Sequence, residues 1–482
     1  MTHGDDSRRI VGYSNPAAVF GGHALLLQDP KLYNGGMGED AKKLAIVGGG
    51  AAGLAAAIVA GERARAIGVP LDVVVLERDD RVGRSILATG NGRCNFSNEH
   101  PHADDYHNGD FVGGAFGALL SSVTETASDR DLKIIRDNGH VVNAFFYKHG
   151  LVWRVEDDGR QYPRTNKAST VVDVLRRAAR NVGVREACER EVAAIDPPRG
   201  PGGQFTLRMA DGMLERADSV IVACGGKALA VLGTCGLPIV AQRPMLGPLR
   251  CAETAETREL DNIRVRCDVS LVRKGERVAG ERGELMFRKY GVSGICVFNL
   301  SRFAQAGDTL RIDFLQSGTL DDAVHYLYAR RKLLAGTFGD GVTCEDMTCG
   351  LLLPRVADVV LKRVGMAAGN RFEKADVERL AHVLSAFDLT VEGMGDETIC
   401  QVRRGGLDVG AFDHATMEAK ELPGLYAAGE ALDVDGPCGG YNLHWAWSSG
   451  MLAGRSAAER LLQPPEGGLR AATSARRGEG VR

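Results

Sequence analysis

Short, uninterrupted apolar runs alternate along this chain with Ala-rich or amphipathic stretches, which is the text of an α/β protein. The first run, Leu44 to Val47, predicts a buried strand; three glycines follow it, then the helix-prone stretch "AAGLAAAIVAGERARAIG". A second β-branched run, "LDVVVLE" over 71–77, ends in an acid. Strand, helix and strand make one βαβ unit of the usual length. Downstream, "FFYKHGLVWRVEDDGRQYPR" (145–164) mixes aromatic, basic and turn residues and predicts a β-hairpin or meander, with a helix expected over 167–181. Strand text returns at "FTLRMADG" and at "ADSVIVACGG" (217–226). From about 255 to 314, "IRVRCDVSLV", "ICVFNL" and "LRIDF" are expected as short strands, followed by helices near 320–335, 354–366 and 373–387. "PGLYAAGE" (423–430) predicts a last buried strand with a Gly-acid stop, and a long helix is expected from about Tyr441 to Leu462.

Composition narrows the class. The 482 residues allow two or three domains and a large core. A net charge of -3 gives no global field for nucleic acid or anionic membrane, and no apolar run approaches a membrane span. The 11 cysteines show no repeated spacing and no CxxC pair, so reduced thiols in a cytosolic protein are expected, with no metal site. Residues 1–40 read as a mobile arm, or as residues ahead of a start at Met37, and 464–482 as a disordered tail.

Chemistry enters with Gly48, Gly50 and Gly53, which spell G-x-G-x-x-G, with Ala51 and Ala52 between the last two. The motif sits between a predicted strand and a predicted helix, where it has mechanical meaning. Gly48 permits the tight turn, Gly50 lets backbone approach a pyrophosphate, and Gly53 permits close helix–strand packing. The helix amino end then offers unpaired N–H groups to phosphate. Glu77, beside Arg78, ends the second strand where a carboxylate can accept both ribose hydroxyls. Ala223 and Gly225 close the later strand. No second G-x-G-x-x-G follows a strand, so the chain holds one dinucleotide permanently, and its far half decides which.

That far half supplies Gly429 and Glu430 at a strand end, where an acid suits ribityl hydroxyls. "GPCGGYNLHWAWSSG" then brings a Gly-rich turn into a helix. Gly439, Gly440, Tyr441 and Asn442 would carry unpaired N–H groups that stabilise negative charge on a reduced flavin. NAD has no use for such a second clamp, whereas FAD does. The two tryptophans of this stretch, Trp445 and Trp447, are expected to pack the helix rather than stack on the ring.

"AIVGGGAAGLAAA", "GRSILATGNGRCNFSN" (83–98), "GELMFRKYGVSG" (283–294) and "GLYAAGEALDVDGPCGGYNLHWAWSSGMLAG" (424–454) together resemble one bacterial flavoprotein family. Aminoacetone oxidases and 3-dehydro-bile-acid Δ4,6-reductases belong to it, and the similarity spans about residues 42–462. The resemblance implies a doubly wound α/β FAD domain of the glutathione-reductase type over 41–250 and 396–463. It places an inserted β-barrel-like and helical substrate domain over 251–395. It also implies that Thr89, Gly90, Asn91, Gly92, Arg93, Cys94 and Asn95 lie against the cofactor. Three features depart from the family pattern: a segment 225–249 too short for its usual helix, Cys224 in place of Thr, and Arg403 in place of Thr. The first would thin the adenine-side wall.

The expected activity is hydride transfer from transiently bound NADH or NADPH through FAD to a small-molecule acceptor, most simply a conjugated C=C bond of a steroid-like compound. Amine oxidation by oxygen is the alternative. Tyr441, His444, Tyr290 and Arg288 are candidate proton donors or anchors, though each also reads as a structural or solvated side chain. Two other classes stay open: a flavin-bound sensor without turnover, and a flavoenzyme acting on RNA. The lack of a basic stripe counts against the second.

Overall fold

The computed structural model describes residues 41–125, 129–138, 140–200, 202–232 and 235–463. The expected arm over 1–40, Met37 and the tail over 464–482 lie outside them. The chain divides into two compact units, one made of the residues up to Gln242 and from Arg404 onward, the other of Arg243–Arg403.

The first unit is built on a five-stranded, all-parallel sheet. Its strands are β1 (Lys42–Val47), β2 (Leu71–Leu76), β3 (Arg185–Ala187), β4 (Ser219–Val222) and β5 (Leu425–Ala427), in the spatial order β5-β4-β1-β2-β3. Leu44–Ile46 and Val74–Val75 are fully buried, as central strands of a two-faced sheet must be. Helix α1 (Ala51–Ile67) is Ala-rich and ends at Gly68, whose φ of 77° forms the left-handed cap. Helix α2 (Tyr441–Leu462) runs against it. Cβ atoms on Gly450 and Gly454 would overlap the carbonyl oxygens of Ala52 and Ala56. Only small residues let two helix backbones approach this closely, and the contact joins the two sequence-distant halves of the unit.

The second unit contains a closed six-stranded barrel, in the order Leu249–Cys251, Gly291–Ser293, Glu276–Arg288, Arg264–Arg273, Thr309–Asp313 and Phe387–Met394. Helices Leu320–Phe338, Pro354–Val364 and Asp376–Ser385 accompany it, and its core is separate from that of the first unit.

Several expectations need correction. "ICVFNL" is the helix Ile295–Ser301: Cys296, Val297 and Leu300 are buried at helical spacing, so a short apolar run was ambiguous between the two periods. The expected hairpin at 145–164 holds only from Trp153 onward; Phe145 belongs to the helix Val141–Lys148, capped by the His140 side chain. The segment after β4 does accommodate a helical turn, Ala228–Leu232, with Val231 and Leu232 buried. The helix expected over 373–387 stops at Ser385, and Phe387 opens a barrel strand.

Candidate functional site

The turn after β1 is shaped by contacts that exclude side chains. Gly48 has φ +106°, and a Cβ on Gly53 would overlap the Gly48 carbonyl oxygen. Gly50 caps α1 without any side-chain acceptor, and no acid lies in the first turn. The amino end of a 17-residue helix is therefore uncapped, which suits an anion. Glu77 orders this turn: its Oε2 accepts the Gly49 N–H at 2.8 Å and its Oε1 the Asp79 N–H at 3.0 Å. Arg78 lines an adjacent cavity of about 690 Å³ with Val192, Ala193, Gly226, Ala230 and Val231. Helix Ala228–Leu232 packs against strand Val192–Asp196 beside this cavity.

The second stretch folds over the first. After β5, the Gly429 N–H donates to Ser449 Oγ at 2.9 Å and the Gly429 carbonyl accepts the Trp445 indole N–H at 3.1 Å. Glu430 follows, its carboxylate facing Gly225 across the end of β4. The acids of "DVDG" turn away from chemistry. Asp435 forms a bidentate pair with Arg404, at 2.6 and 3.0 Å, and Asp433 accepts the Gly405 N–H at 2.7 Å. They hold the loop that leads into α2. Asn442 closes that loop, its Oδ1 accepting from Gly436 N–H and its Nδ2 donating to the Gly436 carbonyl. Gly440, at φ +102°, caps α2 without a side-chain acceptor, so a second uncapped amino end results.

The Thr89–Asn95 loop is unusual in its backbone: Gly90, Asn91, Gly92 and Cys94 all have positive φ. The loop closes on itself, the Arg93 N–H donating to the Gly90 carbonyl at 3.2 Å and the Cys94 N–H to the Thr89 carbonyl at 3.1 Å. Arg93 stacks on Tyr162, 4.2 Å from the ring centroid, and pairs with Glu156 at 3.3 Å. Cys94 is fully buried, and burial pushes its thiol up to about 12, as it does for Cys224. Both are packing thiols at neutral pH. Asn95 Oδ1 accepts the Gln161 N–H at 3.1 Å.

The proton-donor candidates separate. Tyr441 is half-buried at the first turn of α2, its carbonyl accepting from Tyr106 OH at 2.9 Å. His444 is 3% exposed; burial, reinforced by neighbouring His140, holds it well below the ordinary histidine range. A walled-in neutral imidazole makes a poor general acid. Tyr290 and Arg288 belong to the other unit, where the Tyr290 carbonyl accepts the Cys251 N–H and Arg288 donates to Asn262 Oδ1. The Trp447 indole N–H donates to the Phe96 carbonyl at 2.8 Å, so both tryptophans anchor site loops while packing the helix. Their buried N–H groups needed partners, and residue type alone did not say which.

A parallel nucleotide sheet, two uncapped helix amino ends and carboxylates at Glu77 and Glu430 suit a flavin dinucleotide. Together with family membership they define an FAD-dependent oxidoreductase. The chain belongs to the HI0933-like protein Rossmann domain family, whose model matches residues 42–456. It is 32% identical over 440 residues to the 3-dehydro-bile acid Δ(4,6)-reductase of Clostridium scindens, covering 87% of this chain and 99% of that protein. It is 27% identical to the ribosomal RNA dihydrouridine synthase of Escherichia coli, over 84% of this chain and 95% of that protein. Among solved structures, the 3-ketosteroid-Δ4-(5α)-dehydrogenase of Rhodococcus jostii RHA1 matches at 15% identity and a TM-score of 0.41, over 86% of this chain and 97% of that one. Among the described residues, no helix is long and apolar enough to cross a membrane.

Proposed function

We propose that this protein uses NADH or NADPH to saturate a C=C bond conjugated to a carbonyl in a small, steroid-like molecule. The observation that carries the reading is the 32% identity, across 99% of its length, to a reductase named for Δ4,6 double bonds of a 3-dehydro bile acid. Every cradle segment described above falls within the family match.

FAD, when bound, supplies a two-electron carrier between nicotinamide and acceptor. The chain's own residues then have distinct tasks. The amino end of α1 holds the pyrophosphate, Glu77 the adenosine ribose, and Glu430 the ribityl chain. The amino end of α2 offers N–H groups where negative charge develops. Reduction of the enone adds hydride at the β-carbon and a proton at the α-carbon, and Tyr441 is the group assigned to deliver that proton. NAD(P)H and one proton are consumed, and NAD(P)⁺ and the saturated ketone are released.

A second reading rests on the dihydrouridine synthase relative, since dihydrouridine is also the saturated form of a ring C=C beside a carbonyl. One set of experiments separates the readings. The FAD-loaded protein is mixed anaerobically with NADH or NADPH, then with a 3-oxo-4,6-diene steroid or with uridine-containing ribosomal RNA; the oxidised protein is separately mixed anaerobically with a simple amine, where bleaching would mark amine oxidation. Bleaching by a nicotinamide and recovery with the steroid is expected. Recovery with RNA alone moves the assignment to the second reading. No bleaching with either nicotinamide defeats the reductase proposal. Tyr441→Phe should leave bleaching intact and slow recovery.

A further inference from the structure

Three consecutive residues after the Gly-Asn-Gly loop, Phe96 and the two-residue strand Ser97–Asn98, are each held by α2 or by the Gly439–Gly440 turn that opens it. Phe96 accepts from the Trp447 indole at 2.8 Å. Ser97 Oγ lies 2.9 Å from His444 Nδ1, and its carbonyl oxygen abuts Gly440, where a Cβ would overlap it. Asn98 donates through Nδ2 to the Gly439 carbonyl at 3.0 Å. Gly440, His444 and Trp447 follow the i, i+4, i+7 spacing of a single helix face. That face therefore sets the register of the loop against the amino end of α2.

A second histidine backs the first. His140 Nε2 lies 3.0 Å from the Asn98 carbonyl, and His140 Nδ1 accepts the Asn143 N–H at 3.3 Å. With Nδ1 accepting, Nε2 must carry the proton and donate to Asn98. The two rings meet edge-on, 4.6 Å between centroids, and Phe116 also packs edge-on against His444, at 5.3 Å. Ser97 is fully buried, so its hydroxyl turns to protein partners, His444 Nδ1 at 2.9 Å and, at the longer distance of 3.4 Å, the Asn98 carbonyl.

We infer that His444, backed by His140, is a positioning residue that locks the Gly90–Asn98 loop to the amino end of α2, so that both face one flavin in fixed register. This rests on the FAD reading of the two segments and assigns His444 no proton transfer. Burial supports a fixed neutral tautomer, because a charged ring here would oppose its partner.

The test uses the full-length chain, stripped of flavin and reconstituted with FAD, reading the dissociation constant and the visible flavin spectrum. His444→Leu should weaken FAD binding roughly tenfold by removing the shorter Ser97 contact, the one that ties the loop to α2, and should shift the flavin bands. Ser97→Ala should match it, and the double variant should be no worse than either single one, since one contact is lost once. His444→Asn, whose Oδ1 takes the place of Nδ1, should restore binding to within roughly threefold. Wild-type affinity and spectrum in both His444→Leu and Ser97→Ala would overturn the inference. So would strictly additive losses in the double variant. A wild-type chain that takes up no FAD would overturn the FAD reading itself, an outcome distinct from FAD-binding wild type with unaffected variants.

Discussion

Replacing Gly454 by Ala sets two effects against each other. In an isolated helix the change stabilises by about 1 kcal/mol, because Ala loses less backbone freedom than Gly. At Gly454 the added Cβ would lie 2.7 Å from the Ala56 carbonyl carbon and would overlap its oxygen. Restoring a ~3.5 Å separation requires α1 and α2 to part by roughly 1 Å. Overpacking of this kind costs about 1–3 kcal/mol, so the net effect is a loss of up to about 2 kcal/mol. Gly117, exposed in the helix Gly109–Thr124 with no atom within 4 Å of its virtual Cβ, is the control; Ala there should gain about 0.5–1 kcal/mol. Denaturant titration of the flavin-free chain, followed by FAD titration, reads both. Because α1 and α2 carry the two amino ends of the cradle, Gly454→Ala should also weaken FAD binding, tenfold for each ~1.4 kcal/mol of misfit. Should Gly454→Ala prove as stable as Gly117→Ala, with unchanged FAD affinity, the claim that this contact aligns the cradle is wrong.

Glu77→Ala should lose more FAD affinity than Glu77→Gln, since an amide oxygen still accepts one of the N–H groups of Gly49 and Asp79; equal losses, read by fluorescence titration, would point to charge alone. Trp447→Phe should destabilise the flavin-free chain by about 1–3 kcal/mol through the orphaned Phe96 carbonyl, and an unchanged denaturation midpoint would contradict that anchor. His140 is depressed to about 4 by burial, opposed by its bond to Asn98, so below the unfolded value of ~6.5 the unfolded chain binds the extra proton. Its contribution is complete above pH ~6.5 and is lost as pH falls toward 4, on the order of 3 kcal/mol, a slope that His140→Asn should flatten in pH-dependent denaturation. Alkylation followed by mass spectrometry should label exposed Cys349 first, while Cys94 and Cys224, pushed up to about 12, stay unmodified until unfolding.

The glycines at 48, 53, 439 and 440 were legible because a positive φ or a close approach leaves no place for an ordinary side chain there. The lacing of Phe96, Ser97 and Asn98 onto α2 was not, since the partners lie hundreds of residues apart and no local spacing links them. His444 carries a titratable side chain, which made it read as a candidate for reaction. Its burial and its contact with Ser97 are the features on which the positioning role rests, and neither can be read from residue type. "ICVFNL" failed for a simpler reason: a six-residue apolar run fits either period, and only the neighbours of Cys296 and Val297 choose.

The most direct measurement is FAD uptake by the flavin-free chain, monitored by flavin absorbance and tryptophan quenching, in wild type, Gly50→Val and Gly440→Val. Wild type should bind a single equivalent with quenching, and each variant should lose most of its affinity, because the early turn and the late helix grip one molecule. A colourless wild type in excess FAD, or a Gly440→Val chain that binds as wild type does, would contradict the account.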